Sequence, residues 1–400
     1  CMTIFTRDKG DMGMDKKYEY GRGSWKTIEQ GNELCWMIGN GIGGYANHTV
    51  PGGAAQAFHG YLIASLNPPV SRTLVFTRTQ EQVIVGDRNY DLTSQQYIGE
   101  AKNGQEHLER FVFDNVPEYF YRVEDVTIKK SIAVEYGHNT AVVCYEIENG
   151  SEEAQINIVP LFNYKAAGDV SEKSDLKFDL TLDGQVLTLV PEQNKEMKID
   201  FYASAGEFYD RKLIPTSMAT PNYLIEENNF YMIDHRTGFL GLDNHYTPYE
   251  VQVKLKPYEK KKMYVKCTIE GLNDKCGFDI VREYKERAEK LVEKAGLEDR
   301  FANNLVKAAD HFIVKRESTG LKTVLAGFPW FTDWGRDTMI AFEGLTLVTN
   351  RFDDAREILE SFAKYIKNGL VPNVFPDINC DPGYNTVDAS LWYFQAAFEY

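Results

Sequence analysis

The sequence predicts a multidomain β-plus-α protein, with an N-terminal antiparallel β-sandwich followed by part of a helical toroid. Three observations predict it. From residue 59 to about 271 the chain reads as strands throughout. Near residue 279 the apolar period changes from two to helical spacing. After that, helices with a charged face alternate with mostly apolar ones, as outer and inner layers would.

Residues up to about 27 are polar and lysine-rich and read as a loose lead-in. Gly39, Gly41 and Gly44 formally match G-x-G-x-x-G, but Pro51-Gly52-Gly53 interrupts where a helix should follow. A glycine-rich turn between strands fits better than a dinucleotide site. Strands are expected at 59–66, 72–77, 127–134, 141–147, 177–182, 185–190, 251–255 and 263–269. The stretch 136–139 and Asp183-Gly184 are hairpin turns between them.

Residues 279–295 are charged nearly all round, with Gly296 placed as a C-cap, and predict an exposed linker helix. The next helix is expected over 298–315, with Phe301, Leu305, Ala308 and Phe312 on one face. Further helices are expected at 338–348, at 353–367 (stripe Ala355, Ile358, Leu359, Phe362, Ile366) and at 386–400, which is apolar nearly all round. The connections alternate between long and short. This puts the functional face at the N-termini of the inner helices. The last apolar helix runs to Tyr400, so only part of a toroid is expected. The predicted division is a sandwich over 1–275, a linker helix over 276–297 and the toroid portion over 298–400.

The 400 residues carry a net charge of −15, which argues against nucleic acid or an anionic membrane as partner. None of the six cysteines forms a C-x-x-C pair, and a reduced compartment is the simpler reading. With no apolar leader and no apolar run of about 18 residues, the expectation is a cytoplasmic protein. The seven histidines are scattered without ligand spacing, so no metal and no cofactor is expected.

The chemistry concentrates at residues 328–344, F-P-W-F-T-D-W-G-R-D-T-M-I-A-F-E-G. Indole covers the apolar face of a pyranose, and charged groups fix its hydroxyl edges. Trp330 or Trp334 can form the floor, and Arg336 and Asp337 can hold hydroxyls. The same residues also fit a plain helix start, with Asp337 at the positive end of the dipole and the tryptophans as core. A second cluster lies in the long loop before the last helix. Asp388 falls in that helix's first turn, on the same end as Arg336 and Asp337. In an aromatic, poorly hydrated pocket it would stay protonated and could donate to a glycosidic oxygen. It could also be a capping residue, a role that Thr386 partly duplicates. Asp377 and Asp381 are rival carboxylates.

Together these motifs resemble the bacterial-type glycogen debranching enzymes, which have amylo-α-1,6-glucosidase activity. The resemblance rests on G-N-G-I-G-G-Y at 39–45, H-G-Y-L-I-A-S-L at 59–66 and S-R-T-L at 71–74. In the helical part it rests on F-P-W-F at 328–331, W-G-R-D-T at 334–338, G-L-V-P-N at 369–373 and Y-N-T-V-D-A-S-L-W at 384–392. It implies an N-terminal β-sandwich on a catalytic (α/α)6 barrel. It also implies hydrolysis, with inversion, of the α-1,6-linked glucose left at a trimmed branch of glycogen or limit dextrin. By motif match Arg336 and Asp337 would hold the nonreducing glucose and Asp388 would be the general acid. Trp330, Trp334, Tyr384 and Asn385 complete the candidate substrate-binding set. The family's general base is a glutamate in the later half of the barrel, expected beyond Tyr400. The glucanotransferase region of the bifunctional eukaryotic enzymes has no counterpart in this chain. The competing readings are another α-toroid glucosidase of glucoamylase type, a disaccharide phosphorylase, or an α-glucan-binding protein without turnover.

Overall fold

The computed structural model describes residues 18–214, 224–375 and 381–400. Two antiparallel sheets, of nine and twelve strands, hold most of the first 268 residues. The expected turns sit where the residues dictate. Strands Val126–Val134 and Thr140–Glu148 pair so that Val134 faces Ala141, and Gly137 supplies the left-handed backbone (φ 85°) between them. Strands Phe178–Asp183 and Val186–Pro191 pair across Asp183-Gly184. Alternation decides the faces: in the second of these, Leu187 and Leu189 are buried while Val186 and Thr188 are not. The glycine-rich run 39–45 is the turn between Cys35–Gly39 and Tyr45–Thr49.

The inner faces of the sheets close on one core. Phe76 and Phe162 from the twelve-stranded sheet meet Phe201 from the nine-stranded one, with ring centroids 5.7 and 5.4 Å from it. Each ring is fully buried, worth about 1.5–3 kcal/mol of apolar transfer. The architecture up to residue 268 is therefore sandwich-like. Two short helices interrupt it: α1 (Ile28–Asn32), whose first turn Thr27 caps, and α2 (Met232–Arg236). Neither was expected. α2 is a connection between strands Ile225–Phe230 and Leu242–Tyr246, tied down by Ile233 N–H donating to the Ala55 carbonyl.

Five longer helices follow: α3 (Gly277–Ala295), α4 (Arg300–Asp310), α5 (Gly335–Phe342), α6 (Phe352–Ala363) and α7 (Asp388–Glu399). α3 ends in the left-handed Gly296 (φ 65°), as its sequence requires. It does not stand free in solvent, because Ile280, Val281 and Tyr284 join the sandwich core. One stripe of hydrophobic residues had been hidden among the charges.

Four expectations fail further on. The helix expected over 298–315 stops at Asp310, and Ile313–Arg316 pairs with Leu321–Val324 as a hairpin. β-branched Ile313, Val314, Thr323 and Val324 flank a turn at Gly320 (φ 71°), and that local preference overrides continuation of the helix. The α4 face carrying Phe301 and Leu305 is exposed, and Val306 and Ala309 are the buried residues. The helix expected over 338–348 begins three residues earlier and passes into a π-turn at Glu343–Leu347. In α6, Ala355, Ile358, Leu359 and Phe362 are buried as predicted, but Ile366 lies beyond the helix and is exposed. Among the described residues no helix is long and apolar enough to cross a membrane.

Candidate functional site

The site begins with the hairpin. Arg316, buried, donates from Nη1 to both carboxylate oxygens of Asp333 at 2.8 Å, and Thr323 Oγ1 donates to the same carboxylate at 2.9 Å. Asp333 is wholly buried. Burial pushes its carboxyl above the ordinary value, while Arg316 and Thr323 oppose that rise. This ties the start of W-G-R-D to the hairpin below it. The sequence shows Asp333 beside Trp334, but its partner lies 17 positions away, and nothing local announces the pair.

The loop between them is a closed turn. Leu325 bridges to Asp333, Ala326 N–H donates to the Thr332 carbonyl and Trp330 N–H to the Gly327 carbonyl, both at 2.9 Å. Phe328 is buried with Tyr45, Ile63, Leu74, Val314 and Leu325, so this loop is packed onto the twelve-stranded sheet.

Trp334 is the N-cap of α5 and bridges to Val374. Gly335 follows with its N–H on the Asn373 carbonyl at 2.7 Å. A Cβ there would lie 2.2 Å from the Pro372 carbonyl oxygen. The glycine is what lets the G-L-V-P-N segment cross the helix start. Arg336 and Asp337 then stand in the first turn, Arg336 half-buried and Asp337 exposed.

α7 presents Asp388 as its first residue, with Val387 as N-cap. Thr386 does not cap the helix, and its hydroxyl is buried without a protein partner. The neighbouring contact is instead Val371 N–H donating to Ser390 Oγ at 2.9 Å. Asp388 Oδ2 lies 3.3 Å from Arg336 Nη1, and both side chains are 43% exposed. The pocket around Asp388 is thus more open and more polar than the desolvated one expected. Tyr384 donates its hydroxyl to the Tyr365 carbonyl at 2.6 Å, and Asn385 Oδ1 accepts from Asn373 Nδ2 at 3.3 Å. Both therefore brace the loop. Asp381 is exposed, and Asp377 lies outside the described residues.

So Trp334, Arg336 and Asp337 share one helix start, and Asp388 meets Arg336 from the start of α7. Trp330 keeps other company. Its ring lies edge-on to Phe58, 6.4 Å away, and it lines a cavity of about 310 Å³ with Tyr18, Tyr20, Phe113 and Leu305. Arg336, Asp337 and Asp388 take no part in that cavity. What the helix-start cluster can do chemically is offer a cation, two carboxylates and an indole within one turn of two adjacent helices.

The chain matches the family model described as glycogen debranching enzyme N terminal over residues 35–262. It matches the model described as amylo-alpha-1,6-glucosidase over residues 307–400. A glycogen debranching enzyme of Saccharomyces cerevisiae is 33% identical over 111 residues, which cover 25% of this chain and 7% of the yeast protein. A bacterial glucoamylase solved with acarbose aligns with a TM-score of 0.49 at 11% identity, covering 91% of this chain and 53% of that one. The chain thus spans a small part of the yeast relative and about half of the glucoamylase.

Proposed function

Because the chain belongs to the glycogen debranching enzyme family, whose N-terminal model alone covers residues 35–262, we propose that it forms part of an α-glucan glycosidase removing α-1,6-linked glucosyl branches. In this reading residues 1–275 are the sandwich domain, 276–297 the linking helix and 298–400 the first part of an (α/α)6 toroid. The observation that carries the reading is the meeting of Arg336 and Asp388, 3.3 Å apart, at the starts of α5 and α7. Two helix N-termini that bring a cation and a carboxylate together beside an indole suit the hydroxyls and glycosidic oxygen of one sugar.

Arg336 and Asp337 would hold the nonreducing glucose, with Trp334 against its apolar face. On substrate entry Arg336 would exchange its contact with Asp388 for sugar hydroxyls. Asp388, protonated, would then donate to the leaving oxygen. Inversion would need a second carboxylate about 6.5–9.5 Å away, with a water between.

The test is glucose release, by the whole enzyme of which this chain forms part, from a limit dextrin bearing single-glucose branches, with the product anomer followed by NMR. Release of β-glucose supports the reading. Release only when phosphate is present would indicate a phosphorylase, release from linear α-1,4 chains alone a glucoamylase-like enzyme, and binding without release a glucan-binding protein.

A further inference from the structure

The loop that carries the aromatic wall is held from outside the helical region. Arg72, in the strand Val70–Val85, donates from Nη1 to the Pro329 carbonyl and from Nη2 to the Phe331 carbonyl. Its guanidinium also lies 5.5 Å from the centroid of the Phe328 ring. These partners are more than 250 positions away in the chain. The acceptors are neutral backbone oxygens, so this fork is not a surface ion pair. It fixes the direction of two carbonyls in one loop, which a planar fork does and a point charge does not.

The held segment leads straight to the candidate site. Phe331 is exposed, and its ring meets the Trp334 ring edge-on at 6.3 Å. Trp334 is the cap of the helix that carries Arg336 and Asp337. On its other side the loop sets Trp330 against Phe58, a sandwich residue.

We propose that Arg72 is a positioning residue: through it the N-terminal sheet sets the loop 328–334, and with it the aromatic wall beside Arg336 and Asp337. This rests on reading Arg336 and Asp337 as a sugar subsite. S-R-T-L at 71–74, which otherwise looks like strand sequence, acquires a role from it.

The test compares the full chain with Arg72→Met, Arg72→Lys and Asp337→Asn. Two quantities are measured: amide hydrogen exchange across residues 325–335, and isomaltose affinity by calorimetry. Arg72→Met should speed exchange in that loop and weaken isomaltose on the order of tenfold. Arg72→Lys, which returns a charge without the fork, should leave most of both effects in place. Asp337→Asn should weaken isomaltose and leave loop exchange unchanged. Unchanged loop exchange in Arg72→Met overturns the inference. So does faster exchange with undiminished affinity, because the arginine would then be structural only. Should the parent chain fail to bind isomaltose, the subsite reading falls and the positioning role with it. That failure is told apart because loop exchange still responds to Arg72→Met while Asp337→Asn changes nothing.

Discussion

At the scale of single residues, Asp388 carries the sharpest prediction. A proton donor acts in the transition state, so its loss should lower kcat more than it raises KM. In the active enzyme Asp388→Asn should lose about 10²–10⁴-fold in kcat on an α-1,6 branch. It should keep most of its activity on α-glucosyl fluoride, whose leaving group needs little protonation. An equal loss on both substrates would mean that Asp388 is not the acid. A second residue-scale prediction concerns acid. His245 is wholly buried, with Nδ1 near Thr77 and Asn163 and Nε2 against the Tyr231 hydroxyl. Burial lowers it to about 3, and His59 likewise. Between the ordinary value of 6.5 and about 3 the unfolded chain therefore binds more protons than the folded one. Stability is full above that window and falls as pH drops through it. Urea midpoints measured from pH 7 to pH 4 should decline, and His245→Gln, which cannot take up that proton, should flatten the decline.

At the scale of elements, the junction between helix starts and crossing segments decides the site. α5 begins where it does because Trp334 is extended and bridged to Val374, while Gly335 admits the Pro372 carbonyl. Gly335→Ala should push the crossing segment away and cost about 1–3 kcal/mol by overpacking. The urea midpoint reports it, and sugar affinity should fall with it because Arg336 is the next residue. A second junction gathers around Asp310 at the end of α4, which Arg287 of α3 and Arg351 ahead of α6 both hold at 2.7 Å. Burial would raise the Asp310 carboxyl, but the two arginines outweigh it and hold it below its ordinary value. Three helices are pinned by one carboxylate at the point where α4 gives way to the hairpin.

At the scale of the whole molecule, the sandwich and the helical part share a core. Phe328 packs with Tyr45, Ile63 and Leu74 of the sheet, and Tyr284 of α3 donates its hydroxyl to the Gly39 carbonyl at 3.0 Å. Phe328→Ala should therefore cost about 3–5 kcal/mol if the core behaves as an interior one. It should destabilise both parts together, seen as one shifted transition by near-ultraviolet and far-ultraviolet circular dichroism alike. Two separate transitions, with only the second shifted, would show instead that the parts unfold independently.

The strands, their turns and the change of period near residue 279 were legible in the sequence by itself, because alternation, Asp183-Gly184 and the Gly296 cap are local signals. So was the pairing of W-G-R-D with the Asp388 motif at one end of the helices, since the long and short connections repeat. What only tertiary structure decided was contact between distant residues. The sequence shows Arg72, Arg316 and Asp333 without their partners, and it shows Trp330 without Phe58. It also reads as one helix through 315, whereas α4 ends at Asp310 and 313–316 pairs with 321–324. Local preference sets what a segment becomes, whereas long-range packing sets where it stops and which side chains meet.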